Sequence, residues 1–188
     1  MRNPRARLVV GAAVLVAATT AALVAPSTAQ AAPSGDTTVT FTLTAGALNI
    51  TTPTSAALGS AAAAAGTLTA QLGTVTVTDA RGRLLGAWTT SVTSTSFTTG
   101  AATAAETLPN SAVSYWSGAA TATTGLGAGV PGQLLAAAAQ DLSTSRTAFS
   151  KIAGVGNNSS AWNPTLIVTV PAAAVAGAYT GTVTHSVA

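Results

Sequence analysis

Hydrophobic and polar positions alternate at period two through much of this chain, most plainly near its end. In residues 165–171, Leu166, Val168 and Val170 point one way before Pro171. In residues 179–187, Tyr179, Gly181, Val183, His185 and Val187 share a face, and Thr180, Thr182, Thr184 and Ser186 take the other. Such alternation marks strands with one face on a core and one in water. Pro171 closes the first strand and Ala176-Gly177 supplies a turn, so the two are expected to form a closing hairpin. The same pattern opens the chain: Val39, Phe41 and Leu43 alternate with Thr38, Thr40, Thr42 and Thr44, which predicts a first strand.

Between these ends the pattern gives many short strands. Residues 45–66 hold Pro53, Gly59 and an alanine run too short for a stable helix, and read as a loop or a poor strand. Leu68, Ala70 and Leu72 share a face; after Gly73 the apolar parity moves to Val75 and Val77, which signals a bulge or a turn between two strands. Asp79-Ala80-Arg81-Gly82 reads as a turn, and Trp88, Thr90 and Val92 line the next strand. Residues 97–107 read as loop plus strand, and Val113 and Tyr115 alternate with Ser114 and Trp116. Glycine and small residues make 121–132 a loop. Residues 134–142 stay open between a short helix, favoured by the run of alanines, and a strand, favoured by their surroundings. Thr147 and Phe149 look extended, 154–158 is a turn, and Trp162 begins the closing section. The fold class that follows is all-β: an antiparallel Ig-like β-sandwich over residues 37–188, after a flexible start at 32–36.

Residues 1–31 have another character. Arg2, Arg5 and Arg7 precede an apolar run over 8–24, Pro26 breaks it, and Ala29-Gln30-Ala31 has the small-x-small pattern of a cleavage site. A secretory signal helix removed after Ala31 is expected, in preference to an uncleaved anchor, because the run is short and rich in alanine and threonine. The localisation is then secreted, extracellular or associated with the cell wall.

Cleavage changes the charge. The whole sequence carries a formal net charge of +3, but the three N-terminal arginines leave with the signal. Arg81, Arg83, Arg146 and Lys151 then balance Asp36, Asp79, Glu106 and Asp141. No basic stripe remains to neutralise phosphates, so nucleic acid is excluded as a partner. A neutral, charge-poor chain is prone to associate with itself or with a surface. The sequence has no cysteine, which excludes disulfides and an acylated-cysteine anchor. Any retention at the cell surface is expected to be non-covalent, with no membrane partner once the signal is gone.

The closing residues Asn163-Pro164-Thr165-Leu166, Val170-Pro171 and Ala176-Gly177-Ala178-Tyr179-Thr180-Gly181-Thr182-Val183-Thr184 resemble the end of a WxL domain, the non-covalent cell-wall module of Gram-positive surface proteins. Where that family has a Trp-x-Leu element, this chain has His185-Ser186-Val187. The family's earlier Trp-x-Leu strand, which follows an aspartate turn, falls on Val77-Thr78-Asp79 and Gly86-Ala87-Trp88-Thr89-Thr90, with Trp88 kept and Thr90 in place of leucine. The matching motif positions are thus Trp88, Thr90, His185 and Val187. The likeness spans about 37–187, and Tyr115-Trp116-Ser117-Gly118 with Gly154-Val155-Gly156-Asn157-Asn158 resembles small secreted actinobacterial relatives of the family. Attachment to peptidoglycan without a covalent bond is what the resemblance implies.

The residues themselves name no reaction. His185 is the sole histidine, and no Gly-x-Ser-x-Gly elbow accompanies it; on the apolar face of a terminal strand it reads as a buried, hydrogen-bonded structural residue before a pH-sensitive binding residue or a catalytic base. Four scattered acids supply neither a carboxylate pair nor a calcium set, and one histidine without cysteine leaves zinc unsupported. Gly125-Leu126-Gly127-Ala128-Gly129 lacks the following Lys-Ser/Thr of a phosphate cradle. No catalytic residue, metal or cofactor is therefore expected. Carbohydrate is held most often by exposed aromatic faces with polar rims, which makes Trp116 the first candidate anchor and Trp162, Trp88 and His185 weaker ones. The function expected is a non-catalytic surface protein holding wall polymer, peptidoglycan or an associated polysaccharide. A structural or self-associating surface protein is the alternative, and a secreted hydrolase a distant third.

Overall fold

A computed structural model describes residues 34–62 and 66–188; the expected signal at 1–31 lies outside them. The chain divides into two units between Phe41 and Thr42, and every strand belongs to the second. In chain order these are β1 (Leu48–Thr51), β2 (Thr67–Gln71), β3 (Val75–Asp79), β4 (Leu84–Ser94), β5 (Phe97–Thr98), β6 (Thr107–Leu108), β7 (Val113–Trp116), β8 (Ala120–Pro131), β9 (Gln140–Asp141), β10 (Arg146–Trp162), β11 (Thr165–Thr169) and β12 (Val183–Val187). Among the described residues the helical elements between them are three 3-10 turns, at Ala104–Glu106, Asn110–Ala112 and Ala136–Ala138. The fold is an antiparallel β-sandwich, as the alternation predicts.

The 17-residue β10 is the spine of the larger sheet. One flank pairs with β8; the other pairs first with β4, from Arg146↔Val92 to Val155↔Leu84, and then with β3, from Asn158↔Asp79 to Trp162↔Val75. β1 adds outside β3 and β12 outside β4. The second sheet runs β2-β11-β7-β9, and β5 pairs with β6. The faces that meet carry Val75, Val77, Trp88, Val92, Phe149 and Trp162 from the first sheet and Val113, Tyr115, Leu166 and Val168 from the second. At roughly 150–250 Å² for a buried ring, Trp162 alone removes enough area to contribute roughly 4–6 kcal/mol.

Several sequence expectations are corrected. No strand forms at Val39, Phe41 and Leu43: residues 34–47 have no regular structure, and these three side chains are 80%, 83% and 87% exposed. Alternation prepares a segment for pairing but supplies no partner. The closing hairpin is absent too. β11 sits in the second sheet between β2 and β7, and β12 sits on the edge of the first beside β4, so the chain after Thr169 crosses from one layer to the other. Each apolar face thereby reaches the same core from opposite sides.

Residues 80–83 do not reverse the chain, because β3 and β4 lie end to end along one flank of β10. The Asp79 carboxylate, only 2% exposed, receives the Arg81 backbone N–H at 3.0 Å and its guanidinium at 2.8 Å, which fixes the kink. The glycine-rich 121–132 is strand β8, and 154–158 lies inside β10, where the register shifts and Ala153 and Gly156 take left-handed φ of 54° and 65°. Nearly all of β8 is exposed, so no apolar stripe marks it in the sequence. The open question at 134–142 resolves into a 3-10 turn and the short β9. The parity change at Gly73 marks the passage from β2 in one sheet to β3 in the other.

Candidate functional site

The core places four rings and the imidazole in one column between the sheets. Trp162 on β10 stacks on Phe149 with centroids 4.8 Å apart and planes 14° from parallel, and Phe149 stacks in turn on Trp88 at 6.3 Å. The Trp162 indole N–H donates to the Tyr115 hydroxyl at 3.2 Å, and that hydroxyl lies 3.1 Å from His185 Nε2. Tyr115 is fully buried, so its own proton needs an acceptor. The oxygen accepts from Trp162, and the O–H therefore donates to His185 Nε2, which leaves the imidazole proton on Nδ1. Burial pushes the His185 pKa down to about 4 and the Tyr115 pKa up, so both are neutral at pH 7. Tyr115 belongs to the second sheet and the other two to the first, and the hydrogen-bond chain ties the layers together.

His185 also borders a cavity of about 190 Å³ walled by Pro53, Leu58, Leu72, Phe97, Leu166 and Val183. Ser55 is on its rim, with no hydrogen bond to the imidazole, and no acidic residue lines it. An imidazole here meets a phenol and an indole, an arrangement that orients a ring and bridges two sheets. It does not assemble the serine, base and carboxylate of a nucleophilic triad.

The other sequence candidates separate. Trp88 and Trp162, 2% and 0% exposed, offer no face to a sugar, and as surface anchors they are corrected; their rings pack on Phe149 in preference to water. Trp88 additionally donates to Asn158 Oδ1 at 3.3 Å. The four motif positions share one face: Thr90 pairs with Val187 and Val92 with His185 across β4 and β12, with Trp88 next along β4. Thr90 is fully buried, and its hydroxyl has no hydrogen-bond partner among the described residues. Trp116 alone of the three tryptophans is half-buried, on the outer face of β7 opposite Thr165 and beside Ser114. Its indole nitrogen is buried without a hydrogen-bond partner among the described residues.

Two features lie outside the sequence candidates. Lys151 is 1% exposed on the same side of β10 as Phe149, and its ammonium donates to the Thr124 and Ser159 carbonyls at 3.0 and 3.3 Å. Burial lowers its pKa. The signal was its position, two residues after Phe149 in an alternating run. The second is a row of exposed apolar side chains across three adjacent strands: Leu84 on β4, Val155 on β10 and Leu126 on β8 are direct register partners. The adjacent pair Leu84-Leu85, placed just after the 79–82 kink, was its trace in the sequence.

Among the described residues no cluster of three His, Cys, Asp or Glu side chains is placed to hold a metal ion, and no helix is long and apolar enough to cross a membrane. Comparison with protein-family models, curated proteins and solved structures finds no match.

Proposed function

We propose that the chain is an exported, non-catalytic surface protein of WxL-like kind that attaches without covalent linkage to wall polymer, peptidoglycan or an associated polysaccharide. The observation that carries this reading is the fate of His185. The one side chain suited to proton transfer near neutrality is spent on Tyr115 and Trp162, inside the sandwich. What remains for a ligand is sheet surface, whose aromatic feature is the half-buried Trp116, with Ser114 and the exposed Gln71 on the same outer face of the second sheet. A ring beside hydroxyl and amide groups suits a sugar face and its hydroxyl rim. Attachment of this kind owes little to ion pairing and persists in high salt.

The test is sedimentation of the exported chain with purified peptidoglycan, against polysaccharide-stripped wall and cellulose. Retention on intact wall in high salt, reduced roughly five- to tenfold by Trp116→Ala, supports the reading. Equal recovery on wall and cellulose sinks it. A self-associating surface protein is the second reading, favoured by the exposed row Leu84, Val155 and Leu126.

A further inference from the structure

The hydrogen-bond chain through Trp162, Tyr115 and His185 leaves one donor unused. The Tyr115 O–H donates to Nε2, so the imidazole proton sits on Nδ1, and that nitrogen makes no hydrogen bond among the described residues. Nor is it sealed from solvent: the side-chain atoms that are both shut in and unpartnered belong to Thr90, Trp116, Gln133 and Ser160. An N–H in this position has a proton to give and nothing within the chain to take it.

The space beside it is suited to a guest. His185 is half-buried on the inward side of β12, with its ring centroid 5.6 Å from that of Tyr115 and 6.5 Å from that of Trp162. The cavity of about 190 Å³ that it borders lies between the sheets, with Val75 and Val183 from the first, Leu72 and Leu166 from the second, and Phe97 of β5. The Phe97 ring reaches this place because residue 181 is glycine; a Cβ there would stand 2.7 Å from the ring. The exposed residues Thr52, Thr54 and Ser55, which follow β1, complete the lining. A cavity of about 150 Å³ lined by Leu, Ile and Phe takes a benzene molecule, so this one has room for a single ring. Among the described residues no acidic side chain, lysine or arginine lines it, so a charged guest would find no counter-charge there.

We infer that this cavity binds a neutral group of single-ring size carrying a carbonyl oxygen, with its apolar body against Leu72, Leu166 and Val183 and its oxygen accepting the Nδ1–H of His185. A carbonyl suits the site because it takes the unused proton and brings none of its own that would need an acceptor among Leu, Val and Phe side chains. Two sources share this chemistry: a free small ketone, and the acetamido group of an N-acetylated sugar whose ring stays at the rim formed by Thr52, Thr54 and Ser55. The site lies inside the sandwich, apart from Trp116 on the outer face of the second sheet, and its occupancy is independent of wall retention.

The test titrates the full exported chain with four neutral probes. Acetophenone carries both the ring and the carbonyl, and ethylbenzene has the same body without the oxygen. N-acetylglucosamine carries the acetamido group, and glucose lacks it. Affinity is read by calorimetry, and the place of binding by nuclear Overhauser contacts to the methyl groups of Leu72, Leu166 and Val183. Acetophenone is expected to bind there about tenfold more tightly than ethylbenzene, the factor that one hydrogen bond supplies. His185→Phe keeps a ring and removes the donor, and is expected to abolish that preference. If the variant lacks the near-ultraviolet signature of packed tryptophans, the wild-type comparison of the two probes decides alone. Contacts from N-acetylglucosamine but not glucose assign the sugar as the source, and contacts from acetophenone alone assign a free carbonyl compound. No binding of either carbonyl probe at millimolar concentration, equal affinity for acetophenone and ethylbenzene, contacts elsewhere on the chain, or a preference that survives in folded His185→Phe overturns the inference.

Discussion

Two stretches of this chain are written in nearly the same pattern and meet opposite fates. Residues 38–44 and 182–187 both alternate threonine or serine with larger side chains at period two. The second becomes β12, pairing with β4 from Val183↔Ser94 to Val187↔Thr90, with Val183, His185 and Val187 half-buried against the core. The first has no regular structure, and its apolar side chains stand in water. Backbone preference is equal in the two; what differs is a laterally free strand with an apolar floor beside it. β4 offers β12 both, and among the described residues no strand pairs with 37–44. Alternation therefore measures readiness to pair, and the partner is a property of the whole sandwich.

The contrast can be broken hardest from the paired side. Trp162→Ala removes the ring under His185 and Phe149, and is expected to cost about 3–5 kcal/mol, read as a lowered urea midpoint or the loss of a cooperative transition. A smaller effect comes from pH. His185 must be neutral to accept from Tyr115, and its pKa is lowered by burial to about 4 from 6.5, so the unfolded chain binds the proton more readily than the folded one. The stability this contributes is complete above pH 6.5 and is lost as pH falls toward 4, by about 3 kcal/mol at most. His185→Gln is expected to flatten the stability profile in that window. Asp79, Asp141 and Glu106 are held below the ordinary carboxylate range, and their contribution is lost at still lower pH. An unchanged slope in the variant would show that the imidazole does not lose its burial cost on unfolding. The smallest effect belongs to the unpaired side. Phe41→Asp is expected to move the urea midpoint of the single-chain species by less than about 0.5 kcal/mol, because that side chain supports nothing within its own unit.

How much was legible follows the same division. The inward faces of β3, β4, β7 and β11 could be read from Val75, Val77, Trp88, Val92, Tyr115, Leu166 and Val168, because burial on one side leaves a period in the sequence. β8 could not, since a strand exposed on both faces leaves none. The length of β10 was hidden by Gly154 and Gly156, which look like a turn and serve as bends inside a continuous strand. For the candidate site, local sequence cannot separate a core tryptophan from a surface one; Trp88, Trp116 and Trp162 all sit among small polar residues. The Tyr115–His185 contact spans 70 positions and depends on which sheet each strand joins, a fact of topology that no window contains.

The Trp162–Tyr115–His185 relay has a practical consequence. With one histidine in the chain, its ring nitrogens give a single assignable pair of nitrogen-15 resonances, and the proton held on Nδ1 sets their separation. Because the phenol that bonds the other nitrogen, Nε2, rises from the opposite layer, those two signals act as a built-in gauge of whether the halves of the sandwich stay seated. The gauge can be read on the free chain, on wall fragments or in an assembly without attaching any label to the surface.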